Sequence, residues 1–396
     1  MKRPIFIIVG VIIVFILLLV WLYVLFFNTP QTNPDNLTDL NLTDTTDGSI
    51  TEFPDNEPVV DVFSYKPLRQ LTTKNVVGYQ EVTKDASSTP EIYYVEAGTG
   101  NIFSININTG EEVRLSKTTI PNSQKAAITP NGQFTLVQSN LGVNSQFFVG
   151  EFSSSSDEIS LNNLEANIVS FSETADDTFL YAVESNDFVT AKEYYPITGK
   201  TKDLFTIPFR EVTIDWGETA LDAHYVYPKA SNELEGYLYQ VVKGKIKRLP
   251  IDGYGLSATG NNTDIIYSKL INNTYQSNSY SVYSPELPLI LPLVILPEKC
   301  VFHSVESPTA VCGVNINNDV KNLPDAWYQG ILSTVDSLWL VDLTANTATL
   351  LVNTFFESGR EVDMTDLSIH INNIYFINKN DSTLWLFSNN SETDSN

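Results

Sequence analysis

Histidine and cysteine are almost absent from this sequence, with three of the first and two of the second among 396 residues. No H-x-x-x-H or comparable clustering occurs, so no metal-ligand motif is present. Basic residues are also scarce: 23 Lys and Arg stand against 47 Asp and Glu, a formal charge of −24. Without a basic face to displace counterions from phosphates, a nucleic-acid partner is excluded. The one basic run, Lys243, Lys245, Lys247 and Arg248 in "KGKIKRLP", brackets Ile246 and reads as a solvated strand face. Beyond residue 74 no helical period persists for more than a turn or two, which removes helical architectures from consideration.

One long apolar run is present. Ile5–Phe27 is 23 residues without a charge, long enough to span a hydrocarbon core of roughly 30 Å. It exceeds the apolar core of a signal peptide, and no small-x-small cleavage site follows. Lys2 and Arg3 precede it and the next basic residue is Lys66. The distribution of positive charge predicts a cytoplasmic stub at 1–4, a transmembrane helix at 5–27 and an extracytoplasmic remainder. Residues 28–58, with seven carboxylates and no basic side chain, read as a disordered acidic linker, and 390–396 as a disordered tail.

Residues 59–389 carry a repeat. Short runs rich in Val, Ile, Tyr, Phe and Thr alternate with Gly, Asn, Asp and Ser turns, and two hairpin types follow one another. "AAITPNGQFTLVQS" (126–139) represents the first and "NIFSININTGEEVRLS" (101–116) the second. Joined, they form a four-stranded meander, A to D. Units begin near Val77, Lys125, Ile168, Val212, Gly253, Cys300 and Leu367, at intervals of 48, 43, 44, 41, 47 and 67. Propeller blades of four strands have periods of about 40–50 residues. The long interval matches an insertion, "INNDVKNLPDAWYQGILSTV" (316–335), between strands B and C of the sixth unit. The seventh unit lacks a fourth strand, whereas "PLRQLT" (67–72) is a fourth strand without a unit. Pairing Leu68, Arg69 and Leu71 beside the Trp385 strand closes the ring and leaves no open edge. A ring of six or eight units fits the same pattern, the first and fifth being the least regular.

With "TPNGQF" (129–134) as its nearest approach to the Ser-Pro-Asp-Gly-like turn, the chain resembles the seven-bladed propellers of the WD-repeat and TolB-type families. It is also similar to uncharacterised membrane-anchored bacterial propeller proteins. The resemblance implies an all-β, seven-bladed ring of four-stranded antiparallel blades and supplies no activity. Propeller hydrolases carry their serine at a G-x-S-x-G elbow; the closest string here, "GLSATG" (255–260), has the wrong spacing.

Several residues stand out as candidates. Cys300 and Cys312 lie symmetrically about Glu306 in "CVFHSVESPTAVC", placed for a cross-strand disulfide or for two buried thiols. Trp327, Tyr328 and Asp325 sit on the insertion, either as a binding surface or as a lid packed on the blade beneath. His303 and His370 fall on neighbouring inner strands, with Glu173 and Asp215 on others, while His224 falls on a B strand. No metal or other cofactor is expected from so sparse a set. The chain reads as a membrane-tethered, extracytoplasmic binding or scaffold module for a protein, peptide or cell-wall ligand. The alternative is a propeller hydrolase or lyase acting on polysaccharide or peptide, which requires carboxylates such as Glu173, Asp215 and Glu306 to converge at the channel mouth.

Overall fold

Strands whose two faces are both covered read as nearly continuous apolar runs, and such runs form the middle of every sheet here. In a computed structural model the described residues are 66–83, 89–141, 144–153, 156–285, 288–317 and 322–388. The expected transmembrane segment and acidic linker lie outside them. Among the described residues no helix is long and apolar enough to cross a membrane. Seven four-stranded antiparallel sheets make up the fold.

The inner A strands are Val76–Val82, Ser123–Ile128, Ile168–Glu173, Val212–Asp215, Ser257–Gly260, Cys300–Phe302 and Met364–His370. The fifth begins later than the repeat predicts. Gly253 belongs to the outer strand of blade 4, Lys245–Tyr254, which pairs as far as Glu235↔Tyr254. Its left-handed φ of 143° is a conformation glycine adopts freely, and the strand bends there rather than starting a new blade. The outer strand of blade 5 is only Leu289–Ile290, too short to leave a pattern.

Burial follows position in the blade. Strand Glu91–Glu96 has four consecutive buried residues, and Thr383–Ser388 is buried throughout. The outer strand Glu112–Arg114 is exposed along its length. The core therefore lies between neighbouring blades. One cluster joins Val311 and Leu338 of blade 6 to Phe376 and Trp385 of blade 7, and the next joins Tyr375 and Leu386 of blade 7 to Ile92 and Tyr94 of blade 1.

The last sheet is completed by the first described strand. Leu68–Gln70 pairs antiparallel with Thr383–Ser388 in the register Leu68↔Phe387, Arg69↔Leu386 and Gln70↔Trp385. The contact extends past the ladder, because Leu71 N–H donates to Leu384 O at 2.7 Å and Leu384 N–H donates to Thr72 Oγ1 at 3.0 Å. Arg69 reaches sideways, its Nη2 donating to Ile107 O at 2.6 Å on blade 1. Leu71 packs into the cluster between blades 7 and 1.

Candidate functional site in the central channel

The A strands line a cavity of about 330 Å³ whose walls include Tyr79, Lys125, Glu173, Asp215 and Asp366. One residue from each of five blades thus meets around the axis. Tyr79 donates its hydroxyl to the Asp366 carbonyl and lies 3.1 Å from Ser368 Oγ. Asp366 can present that carbonyl because the strand bulges there, with Asp366 itself at φ 48°. Lys125 Nζ stands over the Phe171 ring at 4.8 Å.

Asp215 ends the inner strand of blade 4. Its Oδ2 accepts the Gly260 N–H at 2.9 Å and the Thr259 hydroxyl at 3.2 Å. Burial nevertheless pushes its carboxyl up to about 7, against the pull of those two donors. Burial likewise raises Glu173, with Lys125 opposing the shift. A buried carboxylate without a cation resists ionisation because the low-dielectric wall disfavours the charged form.

A second cavity of about 230 Å³ adjoins the first at Asp215, Trp216 and Leu367, on the side of the A–B turns. Glu218, Asp222 and Phe302 also line it, together with Thr259, Asn261, Asn262 and Ser304, and it contains no Lys, Arg or His. Trp216 is fixed by its indole N–H donating to Ser170 Oγ at 2.9 Å. Asp222 is held by the Thr219 hydroxyl at 2.7 Å and by Asn262 Nδ2 at 2.9 Å. Glu218 is raised first by burial and then by the neighbouring Asp222 charge. The arrangement can receive a cationic group flanked by apolar surface.

Of the three carboxylates named for convergence, Glu173 and Asp215 share the channel. Glu306 is exposed on the A–B turn of blade 6 and lines neither cavity. His303 and His370 line neither cavity as well. His303 Nδ1 lies 3.4 Å from Thr309 Oγ1, and the His370 ring stands against Tyr375. His224 is buried in blade 4, where its Nδ1 accepts the Gly217 N–H at 3.0 Å; burial lowers its pKa to about 4. Among the described residues no group of three or more His, Cys, Asp or Glu could hold a metal ion.

Cys300 and Cys312 are ladder partners joined by a disulfide, S–S 2.06 Å, with their Cα atoms 4.1 Å apart.

The insertion departs from an exposed recognition surface. Its one-turn helix Asp325–Tyr328 buries Trp327 to 6% exposure beside Tyr275, Leu296 and Leu323. The Trp327 indole N–H donates to Asp363 Oδ1 at 2.9 Å, leaving no donor for a ligand. Asp325 Oδ1 accepts the Asn232 N–H at 3.0 Å, reaching back to blade 4. Tyr328 stays partly exposed and donates its hydroxyl to Glu298. Trp327 and Asp325 thus fasten a lid. An aromatic between Pro and Gly looks the same in sequence whether it faces solvent or the blade below.

Beneath this lid lies a cluster that no local pattern announces. Lys299 Nζ is 2.5 Å from both Asp336 Oδ2 and Asp363 Oδ1, and all three side chains are at most 1% exposed. Their only common signal is position: Lys299 and Asp363 directly precede inner strands, and Asp336 opens strand Asp336–Asp342.

No protein family and no curated protein matches the chain by sequence. Among solved structures, the chain is similar to the propeller domain of the Trilobed protease from Pyrococcus furiosus, described as having an open velcro topology. The TM-score is 0.50 at 10% identity, covering 79% of this chain and 95% of that one. It is also similar to TolB from Acinetobacter baumannii, at TM-score 0.40 and 12% identity over 63% of this chain and 58% of that one. At 10% identity the likeness to the protease domain is one of fold. The chain is a seven-bladed propeller, and in contrast to the open description of the protease domain its final sheet is closed by Leu68–Gln70.

Proposed function

We propose that the chain is a membrane-tethered, extracytoplasmic propeller that binds a cationic group of a protein, peptide or cell-wall ligand at the A–B mouth of its channel and catalyses nothing. The observation that carries this reading is the mouth cavity, where Asp215, Glu218 and Asp222 surround Trp216 and Phe302 without a basic side chain. A ligand ammonium or guanidinium there would replace the charge compensation that Asp215 lacks, and its apolar stem would lie on the aromatic rings. The tether rests on the uncharged run Ile5–Phe27 and on Lys2 and Arg3 before it.

Calorimetric titration of the full chain with a short oligolysine peptide and a neutral peptide of equal length tests the binding. Preference for the cationic peptide, lost in the Asp215→Asn, Glu218→Gln double variant, is the expected result. Equal binding of both peptides removes the reading. Protease treatment of intact cells tests the topology, since an extracytoplasmic propeller is cleaved without lysis.

A second reading as a hydrolase or lyase draws on Glu173 and Asp215, two carboxyls raised by burial and facing one cavity. It requires turnover of a polysaccharide or peptide that Asp215→Asn and Glu173→Gln each abolish.

A further inference from the structure

Lys299 sits where an ammonium and two carboxyls are held together, all three side chains buried. Its Nζ is 2.5 Å from Asp336 Oδ2 and 2.5 Å from Asp363 Oδ1, and 5.0 Å from the Trp327 ring centroid. The insertion lid covers the cluster from above. Two charged groups at this depth are costly to keep ionised even when paired.

The two carboxyls differ. Asp363 is fully engaged, accepting from Trp327 Nε1 at 2.9 Å, Thr334 Oγ1 at 2.9 Å and Lys299. Asp336 Oδ2 accepts the Met364 N–H at 2.8 Å, whereas Asp336 Oδ1 is buried with no hydrogen-bond partner. A buried oxygen that has given up its hydrogen bonds to water and gained none in return destabilises the fold. Burial also raises the Asp336 carboxyl, the Lys299 charge opposing it.

We propose that Lys299 and Asp336 condense spontaneously into an intramolecular amide, with Asp363 carrying the protons. The amine of Lys299 attacks Asp336 Cγ and forms the C–N bond. The ammonium sheds two protons in the course of the reaction; Asp363 takes each in turn and delivers it to the departing oxygen, Oδ1, whose C–O bond breaks as water leaves. No electron acceptor or donor is involved, and the sum is one ammonium and one carboxylate converted to one amide and one water.

The product removes the defect of the reactants. The orphan oxygen is gone, the former Oδ2 keeps the Met364 N–H as the amide carbonyl, and the amide N–H donates to Asp363. One buried pair of charges disappears, and Lys379, whose Nζ lies 3.8 Å from the Trp327 ring centroid, remains to balance Asp363. The bond would clamp the two ends of the segment that carries the lid, beside the Cys300–Cys312 disulfide.

Intact-mass measurement of the reduced full-length chain decides the matter. The expected mass is one water below that of the sequence, and proteolysis yields a branched peptide joining Lys299 to Asp336. Lys299→Arg and Asp363→Asn each restore the unmodified mass. Asp336→Asn reaches the same product by losing ammonia, and so ends at the mass of the cross-linked wild type. A wild-type chain at full sequence mass overturns the proposal whether or not any variant folds. A water deficit that persists in Lys299→Arg overturns it too.

Discussion

Leu68 lies directly across the ladder from Phe387, so the first and the last described strands form one sheet. The pair also shares a buried cluster with Trp385 and Phe376. Ring closure is therefore hydrophobic as well as hydrogen-bonded. Leu68→Ala is expected to lower the unfolding free energy by about 2–5 kcal/mol, the usual cost of truncating a buried leucine. Deleting 59–72 should do more, exposing the edge of Thr383–Ser388 and causing aggregation. Urea unfolding and light scattering check both; an unchanged melting temperature in the deletion would contradict closure.

Trp327 provides a second test, because its ring and its N–H do separate things. Trp327→Phe keeps most of the burial but strips Asp363 of a donor, and should cost about 1–3 kcal/mol. Trp327→Ala opens a cavity under the lid as well and should cost about 3–5 kcal/mol. No loss in Trp327→Phe, read by chemical unfolding, would show that the hydrogen bond contributes nothing, and equal losses in the two variants would show that the buried ring adds nothing beyond it.

The contrast between Leu68 and Trp327 shows what the sequence could carry. An orphan strand is legible because its partner strand is missing elsewhere, and the hairpin alternation makes the deficit countable. The Cys300 and Cys312 positions are legible through their symmetry about a turn. Burial of Trp327 depends on Asp363, and the pairing of Lys299 depends on Asp336 and Asp363, all distant in the chain. Only the closed ring brings them together, so no window of sequence contains the information. Gly253 fails for a different reason: small residues mark a bend within a strand as well as a boundary between strands.

Stability should fall as pH rises from 6.5 to 8. Asp215 and Glu298 are each pushed up to about 7 by burial, so near neutrality the folded chain holds protons that the unfolded chain has already released. Their contribution is complete below the ordinary carboxylate range and is lost as pH passes about 7. His224 works in the opposite sense, but only between about 4 and its ordinary value of 6.5, which is why the upper window is diagnostic. Urea unfolding at pH 6.5 and pH 8 should show this loss in the wild type. The Asp215→Asn, Glu298→Gln double variant should flatten it, and an equal slope in both proteins would assign the pH dependence to the overall −24 charge.

Gly78 marks a close approach between the inner strands of blades 1 and 2. A Cβ at this position would stand 2.1 Å from the Ala126 carbonyl oxygen and 2.6 Å from its carbonyl carbon. Both obstacles are backbone, held in the strand Ser123–Ile128 of blade 2, so no side-chain rotation relieves the clash. Gly78→Ala must therefore push blades 1 and 2 apart at the channel, where both residues line the wall. Overpacking a well-packed core costs about 1–3 kcal/mol, and this site should reach the top of that range. Gly98→Ala is the control, because nothing lies within 4 Å of its Cβ position; its left-handed φ of 76° gives it only the backbone penalty of about 1–2 kcal/mol. Thermal unfolding should rank Gly78→Ala as clearly the more damaging of the two, and the reverse order would mean that the inner strands are not packed as closely as their backbones indicate.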